Sequence, residues 1–281
     1  MLHRKPETGS FTTSRKNELF AQLLSSIELK FDSDNGQACG SIGEWAESSS
    51  IILDGRPFTF DRHEYLRVPY EDRHPDQVEM KATQLGLTSM AMLRAMYAAR
   101  YGNYRGILYL FPSKSDVLDF SKGRISPLIA DNPETIGRWV TDTDAAGIKK
   151  IWNTFLYLRG MVSRVGLKSI PVDLITFDEL DEAPQKAVDK AQERMGHSEL
   201  KESLKLSNPM LPDYGIDKAF QETDQRYWLV KCPSCGHYPC LEDTFPGCLM
   251  GRPRAGLSGP VSGVETNSIH HLGSGSPSGW L

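Results

Sequence analysis

The sequence predicts an α/β fold, a mainly parallel sheet flanked by helices, and three observations carry that prediction. Val78 to Met80 reads as a short strand that passes through a tight loop into a helix from Met90 to Arg100. Gly106 to Phe111 and Val172 to Phe177 are mostly apolar runs, the pattern of strands buried on both faces. Helix-like stretches separate these runs, and the spacing leaves room for the intervening units of one parallel sheet. The order of the strands is not legible.

At 281 residues the chain can hold one sizeable domain and a small appendage. Its 39% hydrophobic and 24% charged content is that of a globular protein leaning polar. A net charge of −4 excludes a whole-protein basic footprint, so any nucleic-acid contact must be a local or shared patch. No apolar run approaches the ~20 residues of a membrane span. Met1 to Pro6 also lacks the apolar core of a signal peptide. Four of the five cysteines fall between positions 232 and 248, which fits a reducing setting better than a disulfide framework.

Taken in order, residues 1–15 are polar. Leu19, Phe20, Leu23, Leu24 and Ile27 recur at helical spacing, in a helix from Lys16 to Lys30 that packs on its own domain or docks a partner. Residues 31–50 read as a connecting segment. From Ile51 to Tyr70, the rings of Phe58, Phe60, His63, Tyr65 and Tyr70 either stack on a base or build the domain edge. In the helix after the loop, Thr88 or Ser89 is the cap, Met90, Leu93, Met96 and Tyr97 share a face, and Gly102 is the stop. Ser113 to Ser121 reads as the next helix, with Arg124 in the loop that follows. Lys114, Lys122 and Arg124 can face a nucleic acid there, although solvated charge is the commoner use. Thr135 to Gly147 reads as a turn region, Ile151 to Gly160 as one or two strands, and Ala187 to Lys205 as a polar helical stretch before a strand ending at Ser207.

The loop carries the first chemical signal. A strand–loop–helix junction presents backbone N–H groups and the positive end of a helix dipole to an anion. The standard phosphate loop is G-x-x-x-x-G-K-[ST]. Here Gly86 and Thr88 take the second glycine and hydroxyl positions, Leu87 stands in the lysine slot, and Lys81 stands where the first glycine would be. A long side chain at Lys81 can still reach the phosphates from the other side of the loop. The second signal is the acidic pair Asp178-Glu179 at the end of an apolar strand. Nucleotide hydrolases use such a pair for Mg²⁺ and for the attacking water.

Three further features follow in series. Pro57 to Leu66 is an aromatic-rich approach to the loop, Ser207-Asn208-Pro209 follows the acidic strand, and Trp228 precedes Cys232-Pro233-Ser234-Cys235. With Lys81-x-x-Gln84-x-Gly86-x-Thr88 and Phe177 to Glu182, this ordered set resembles the ATPase motifs of tailed-phage terminase large subunits of the lambda-like, GpA branch. The resemblance covers roughly Trp45 to Cys240.

That resemblance implies a P-loop NTPase domain that binds ATP and Mg²⁺ and drives a viral DNA-packaging motor. On it, Lys81 and the loop hold the phosphates, Gln84 shapes the loop or meets the γ-phosphate, and Gly86 and Ser89 line the nucleotide. Thr88 and Asp178 hold Mg²⁺, Glu179 positions the attacking water, and Ser207 and Asn208 sense the γ-phosphate. Arg94, Arg100 and Arg164 are the candidate arginines. The implied partners are double-stranded DNA, a small terminase subunit, a portal protein and further copies in a ring, in the host-cell cytoplasm and with no membrane. The implied organisation is an N-terminal helix and linker (1–50), the ATPase domain (51–215), a partial cysteine knuckle (216–248) and a tail (249–281).

Zinc stays open. Cys232 and Cys235 form half of a ribbon, but only Cys240, with His237 or Cys248, is available to complete it. Gly, Ser and Pro make up 16 of the 31 residues from Gly251 onward, a linker-like or disordered composition where the second half of the ribbon belongs. This reads as a truncated or frameshifted end. A non-catalytic remnant and a nucleic-acid-binding module are the readings from other classes, and a helicase-like P-loop ATPase competes within the same class.

Full-length relatives carry a nuclease domain that needs several carboxylates around two metals. Only Glu242, Asp243 and Glu265 follow Cys240, so this chain is expected to cut no DNA. Purified protein should leave supercoiled plasmid intact with Mg²⁺ or Mn²⁺, and metal-dependent nicking would contradict the expectation.

Overall fold

The computed structural model describes residues 40–162 and 170–229, the positions Lys231, Gly236 and Tyr238, and the backbone of Ser278–Trp280. The chain divides into two compact units, residues 1–40 and 41–281, and the described elements all lie in the second. The helix expected from Lys16 to Lys30, the loop around Ser163, Arg164 and Gly166, and the knuckle cysteines lie outside the described residues.

The first element among the described residues is a helix, Ile42–Ser48 (α1), where a connecting segment was expected. Ser41 and Glu44 form a reciprocal capping box, at 3.1 and 2.8 Å, which satisfies two otherwise orphaned N–H groups. The Ser-x-x-Glu spacing was a legible start signal. A short hairpin follows, Ile52–Leu53 (β1) and Arg56–Pro57 (β2). Asn132 fixes it by bonding both the N–H (2.7 Å) and the carbonyl (2.8 Å) of Ile52. Arg67–Glu71 (α2) then leads to Asp76–Met80 (β3). Phe58, Phe60 and Tyr70 pack on one another with ring centroids 5.0–5.3 Å apart, so these rings build the domain edge.

Leu87–Tyr101 (α3) follows the loop, and all of its residues but Thr88, Tyr97, Arg100 and Tyr101 are buried. Met90, Leu93 and Met96 are wholly inaccessible, and each such side chain contributes about 1.5–3 kcal/mol by leaving water. Gly86 is the N-cap, so the helix starts before the expected Thr88 or Ser89, and no side chain caps it. Gly102 ends it as expected. Gly106–Phe111 (β4) is buried at every position. Lys114–Phe120 (α4) runs through a π-helical turn, Ser121–Ile125, into Ser126–Asp131 (α5). Arg124 therefore sits in a helical turn, not in the expected loop. Gly123 reads locally as a breaker, but helical hydrogen bonding continues through it as the wider π turn, and Pro127 falls in the first turn of α5.

Val140–Ala145 (β5), Ile148–Ile151 (β6) and Thr154–Gly160 (β7) form an antiparallel meander. β5 occupies part of the region expected as turns. Its polar residues suit the sheet's outer edge, which has one neighbour only. Leu174–Asp178 (β8), Gln185–Gln192 (α6), Glu202–Ser207 (β9) and Gly215–Gln221 (α7) complete the core. Ser278–Trp280 (β10) pairs in parallel with β3. Composition had marked this stretch as disordered, but an open sheet edge recruits backbone groups whatever the side chains.

The sheet order is β10-β3-β9-β8-β4-β7-β6-β5, parallel from β10 to β7 and antiparallel beyond. The expected mainly parallel sheet is thus a mixed one with an antiparallel margin. α3 packs on one face, against β4, β6, β7 and β9, while α6 and α7 cover the other. On that second face Val78, Met80, Leu108, Ile175, Phe177 and Ile216 share one core with Val188 and Phe220. Arg94 of α3 reaches under the sheet to Gln77 and, at 3.2 Å, to Glu202, which ties β3 to β9 through a buried polar network.

Trp45 of α1 is 1% exposed and stacks on Trp139 at 5.7 Å, with Tyr97 of α3 at 5.6 Å. Trp45→Ala should cost about 3–5 kcal/mol, read as a lower urea midpoint with an unchanged slope.

Candidate active site

Parallel strands deliver their C-terminal ends to one edge of a sheet, and the candidate residues gather there. β9 lies between β3 and β8 and hydrogen-bonds to both, so the ends of the three strands form a shallow step. Lys81 is the first residue after β3, Ser207 the last of β9, and Asp178 the last of β8. The Lys81 N–H donates to the Ser207 carbonyl at 3.0 Å, extending the ladder past the strand.

The loop from Lys81 to Gly86 is shaped by two left-handed residues, Gln84 (φ +61°) and Gly86 (φ +83°). Gly86 is required twice over. Its φ disfavours a side chain, and a Cβ there would stand 2.9 Å from Leu66 Cδ1. Tyr65 donates to the Leu85 carbonyl at 2.9 Å and pins the outside of the loop. Of the approach aromatics, Tyr65 is the one turned to the loop.

Lys81 is 7% exposed, and its Nζ lies 2.7 Å from Glu179 Oε1. Thr88 donates to Asp178 Oδ1 at 3.4 Å, and the buried Tyr109 of β4 donates to Asp178 Oδ2 at 2.9 Å. Burial pushes the Asp178 carboxyl up to about 6, against Lys81 and the hydrogen bond from Tyr109, which favour its charged form. Glu179 has φ +56°, a conformation unusual for a residue with a side chain. It sends the carboxylate toward Lys81 rather than along the strand. Strain of this kind persists where the surroundings over-determine it, and it is common at functional sites.

A cleft of about 490 Å³ opens beside Asp178 and Glu179, lined also by Thr88, Phe120, Arg124 and Glu182. A second, of about 560 Å³, lies across the loop between Tyr65, Lys81, Leu85, Asn208 and Trp228. Thr88 and Asp178 offer two hard oxygen donors at the floor of the first. That set suits Mg²⁺, which takes one or two protein oxygens and fills its other positions with phosphate and water. Together the clefts and the uncapped start of α3 can accept an elongated anion with a planar end.

Other expected residues have different surroundings. Ser89 is buried and its hydroxyl accepts from Arg124 at 2.7 Å. Gln84 is exposed. The Ser207 hydroxyl accepts from the Asp181 N–H at 3.2 Å and donates to the Asn208 carbonyl at 3.1 Å, while Asn208 Oδ1 is buried without a partner. Arg94 is engaged beneath the sheet, and Arg100 lies over Trp152 at 4.1 Å. Arg164, Cys232, Cys235 and Cys240 lie outside the described residues. Among the described residues no group of three or more His, Cys, Asp or Glu side chains is placed to hold a metal ion.

Three residues of the site escaped the sequence. Tyr109 looked like one more apolar position of a buried strand, yet its hydroxyl meets Asp178. Arg124 looked like surface charge, yet it lines the first cleft. Asp181 is buried and accepts from the N–H groups of Met210 (2.8 Å) and Ile216 (2.6 Å). Gly215, at φ +53°, lies against its carboxylate, where a Cβ would collide with Oδ1.

Asp178 predicts a pH dependence with a definite sign. Its folded value of about 6 lies above that of an unfolded aspartate, so the folded state holds the proton more tightly. The stability this group contributes is complete below about pH 4 and is lost as pH rises through 6. Asp178→Asn keeps a neutral side chain there. The melting temperature of the variant relative to wild type, without ligand, should be higher at pH 8 than at pH 4.5.

A profile of the phage terminase large subunit gpA ATPase domain matches residues 61–246. No curated protein sequence matches. Among solved structures, the HK97 bacteriophage large terminase aligns with a TM-score of 0.54 at 13% identity, over 64% of this chain and 39% of that one. This likeness is one of fold alone. An ATPase-domain mutant of the Thermus phage P74-26 large terminase aligns at a TM-score of 0.46 and 14% identity, over 61% of this chain and 72% of that one. The large terminase of a thermophilic bacteriophage aligns at 0.40 and 15%, over 55% and 40%. The profile match spans about two thirds of the sequence, and the chain belongs to the phage terminase large subunit gpA ATPase domain family.

Proposed function

We propose that this domain hydrolyses ATP at the edge formed by β3, β9 and β8, and that hydrolysis drives DNA through a packaging motor. The observation that carries the reading is the convergence of Lys81, Thr88, Asp178 and Glu179 on one end of the loop, with a cleft beside the acidic pair. Family membership implies ATPase activity. The residue roles are those the resemblance implies, and the contacts among Lys81, Thr88, Asp178 and Glu179 support them.

The triphosphate lies along the loop, its charge met by the N–H groups and dipole of α3 and by Lys81. Its base extends into the second cleft, where Tyr65 and Trp228 supply rings packed edge to face, with centroids 6.3 Å apart. Thr88 and Asp178 would hold Mg²⁺, which would supply charge neutralisation to the phosphates. Tyr109 fixes the rotamer of Asp178 and leaves its other oxygen turned to Thr88. Without nucleotide, Lys81 and Glu179 bond to each other. An incoming phosphate competes for the ammonium and frees the Glu179 carboxylate to orient water in the first cleft.

The same reading extends to partners: double-stranded DNA, a small terminase subunit, a portal protein and further copies of the chain in a ring. Ser207, Asn208 and the segment after them supply the coupling element. They lie at the end of β9 and just beyond it, and are tied to the end of the acidic strand through Asp181. No helix among the described residues is long and apolar enough to cross a membrane.

Lys81→Ala should weaken ATP binding by at least ~10-fold, because it removes the charge-assisted contact of the loop. Glu179→Gln should bind ATP as wild type does, while phosphate release falls ~10²-fold or more. Equal rates of phosphate release for wild type and a folded Glu179→Gln would remove Glu179 from its role.

A further inference from the structure

Glu179 carries the carboxylate that meets water in the reading above, yet little holds it once nucleotide arrives. Among the described residues, Lys81 is the one group bonded to that carboxylate, at 2.7 Å. A phosphate that draws the ammonium away leaves the direction of the side chain to the backbone. That backbone is left-handed, at φ +56° and ψ +53°, a conformation that residues other than Gly, Asn and Asp seldom adopt. A strained residue of this kind keeps its conformation only where its neighbours over-determine it.

The anchoring comes from two residues further on. Glu179 leads into a single helical turn, Leu180–Glu182, closed by the Glu182 N–H on the Glu179 carbonyl at 3.1 Å. Asp181 is the middle residue of that turn and is 5% exposed. Its N–H donates to the Ser207 hydroxyl at 3.2 Å, at the end of β9. Its Oδ2 accepts from the Met210 N–H at 2.8 Å, and its Oδ1 from the Ile216 N–H at 2.6 Å. Hydrogen bonds to a carboxylate are the stronger kind, and a buried one left unmade is costly, so the turn is fixed at three separate points. Gly215 leaves the room this needs, since a Cβ there would collide with Oδ1. Asp181 itself lines neither cleft, so its effect on the site passes through Glu179.

We propose that Asp181 is a positioning residue for phosphoryl transfer: its three bonds hold the left-handed turn at Glu179 and keep that carboxylate aimed at the attacking water after Lys81 has turned to phosphate. The inference rests on the ATPase reading above and adds to it the group that fixes the direction of Glu179. A purely structural aspartate would lower stability and, with it, the amount of active protein. A positioning aspartate lowers kcat of the folded protein and leaves ATP affinity in place, because the loop and Lys81 hold the phosphates.

The experiment compares the full chain with Asp181→Ala, Asp181→Asn and Gly215→Ala, each alone and combined with Glu179→Gln. Folding is checked by the urea midpoint, ATP binding by a fluorescent analogue, and turnover by phosphate release. Asp181→Ala should bind ATP within about threefold of wild type while kcat falls ~10²-fold, the scale of a misplacement of about 1 Å at a reacting group. Asp181→Asn keeps one acceptor and should lie between the two, at ~10-fold. Gly215→Ala keeps every side chain of the site but pushes on the Asp181 carboxylate, so its kcat should also fall ~10-fold. Combined with Glu179→Gln, none of the three should slow phosphate release by more than about twofold further, because their effect runs through the carboxylate already removed. A loss of the same factor with and without Glu179→Gln would show a purely structural role and overturn the proposal. So would a folded Asp181→Ala with wild-type kcat, or a loss of ATP affinity as large as the loss of kcat. Should Asp181→Ala not fold, Asp181→Asn and Gly215→Ala decide on the same criteria. A wild-type chain that binds ATP without releasing phosphate would instead overturn the hydrolysis reading itself, and this inference with it.

Discussion

Lys81 and Glu179 stand 98 positions apart, and their ion pair exists because β9 is threaded between the strands that carry them. The chain forms β3, makes the central units β4 to β8, and only then returns to insert β9 beside β3. That insertion sets the distance across the site. With β3 and β8 as direct neighbours, spaced at the ~4.8 Å of adjacent strands, loop and acidic pair would crowd each other. With one strand between, a lysine side chain spans the gap, and a cleft opens beside it. The buried network of Arg94, Gln77 and Glu202 locks this arrangement from beneath, since it bonds both β3 and β9.

The acidic strand then works under constraint at its end. Asp178 is buried, and hydroxyl donors from α3 and β4 hold it. Without a counter-cation its charge is unfavourable, which is the physical meaning of its raised proton affinity. Glu179, one residue on, takes a left-handed turn, so the two carboxylates point to different places. One faces the helix start, and the other faces the lysine. The loop and the strand end are therefore joined through the Lys81–Glu179 ion pair.

Asp181 carries the arrangement outward. It is 5% exposed, and its oxygens accept the N–H groups of Met210 and Ile216. Its own N–H donates to Ser207, so the end of β8 is bonded directly to the end of β9 and to the segment that carries Met210. Met210 and Leu211, at 63% and 60% exposure, sit on that segment. Coupling between sites needs a physical chain of this sort, in which rigid bonds join two elements that can each be displaced.

Much of the fold and the centre of the site were legible in the sequence. Continuous apolar runs marked β4 and β8, and the glycine at 86 with a hydroxyl at 88 marked the loop. The carboxylate pair marked the acidic strand, because local periodicity and turn chemistry act over a few residues and leave a local trace. α1 was missed although its capping box was present, and β5 was missed because an edge strand can be polar. The contacts that bring Tyr109, Arg124 and Asp181 into the site left no local trace, although Arg124 and Asp181 stood among the residues noted in the sequence. A tyrosine in a buried strand, an arginine near other charges and an aspartate after a strand have ordinary local explanations, and these partners lie 26 to 69 positions away. By itself the sequence determined which segments are strands and helices and which residue types can meet a phosphate and a metal. Only the tertiary structure decided which of them share a cleft, because strand order, and hence distance, is set by long-range backbone pairing that local pattern does not encode.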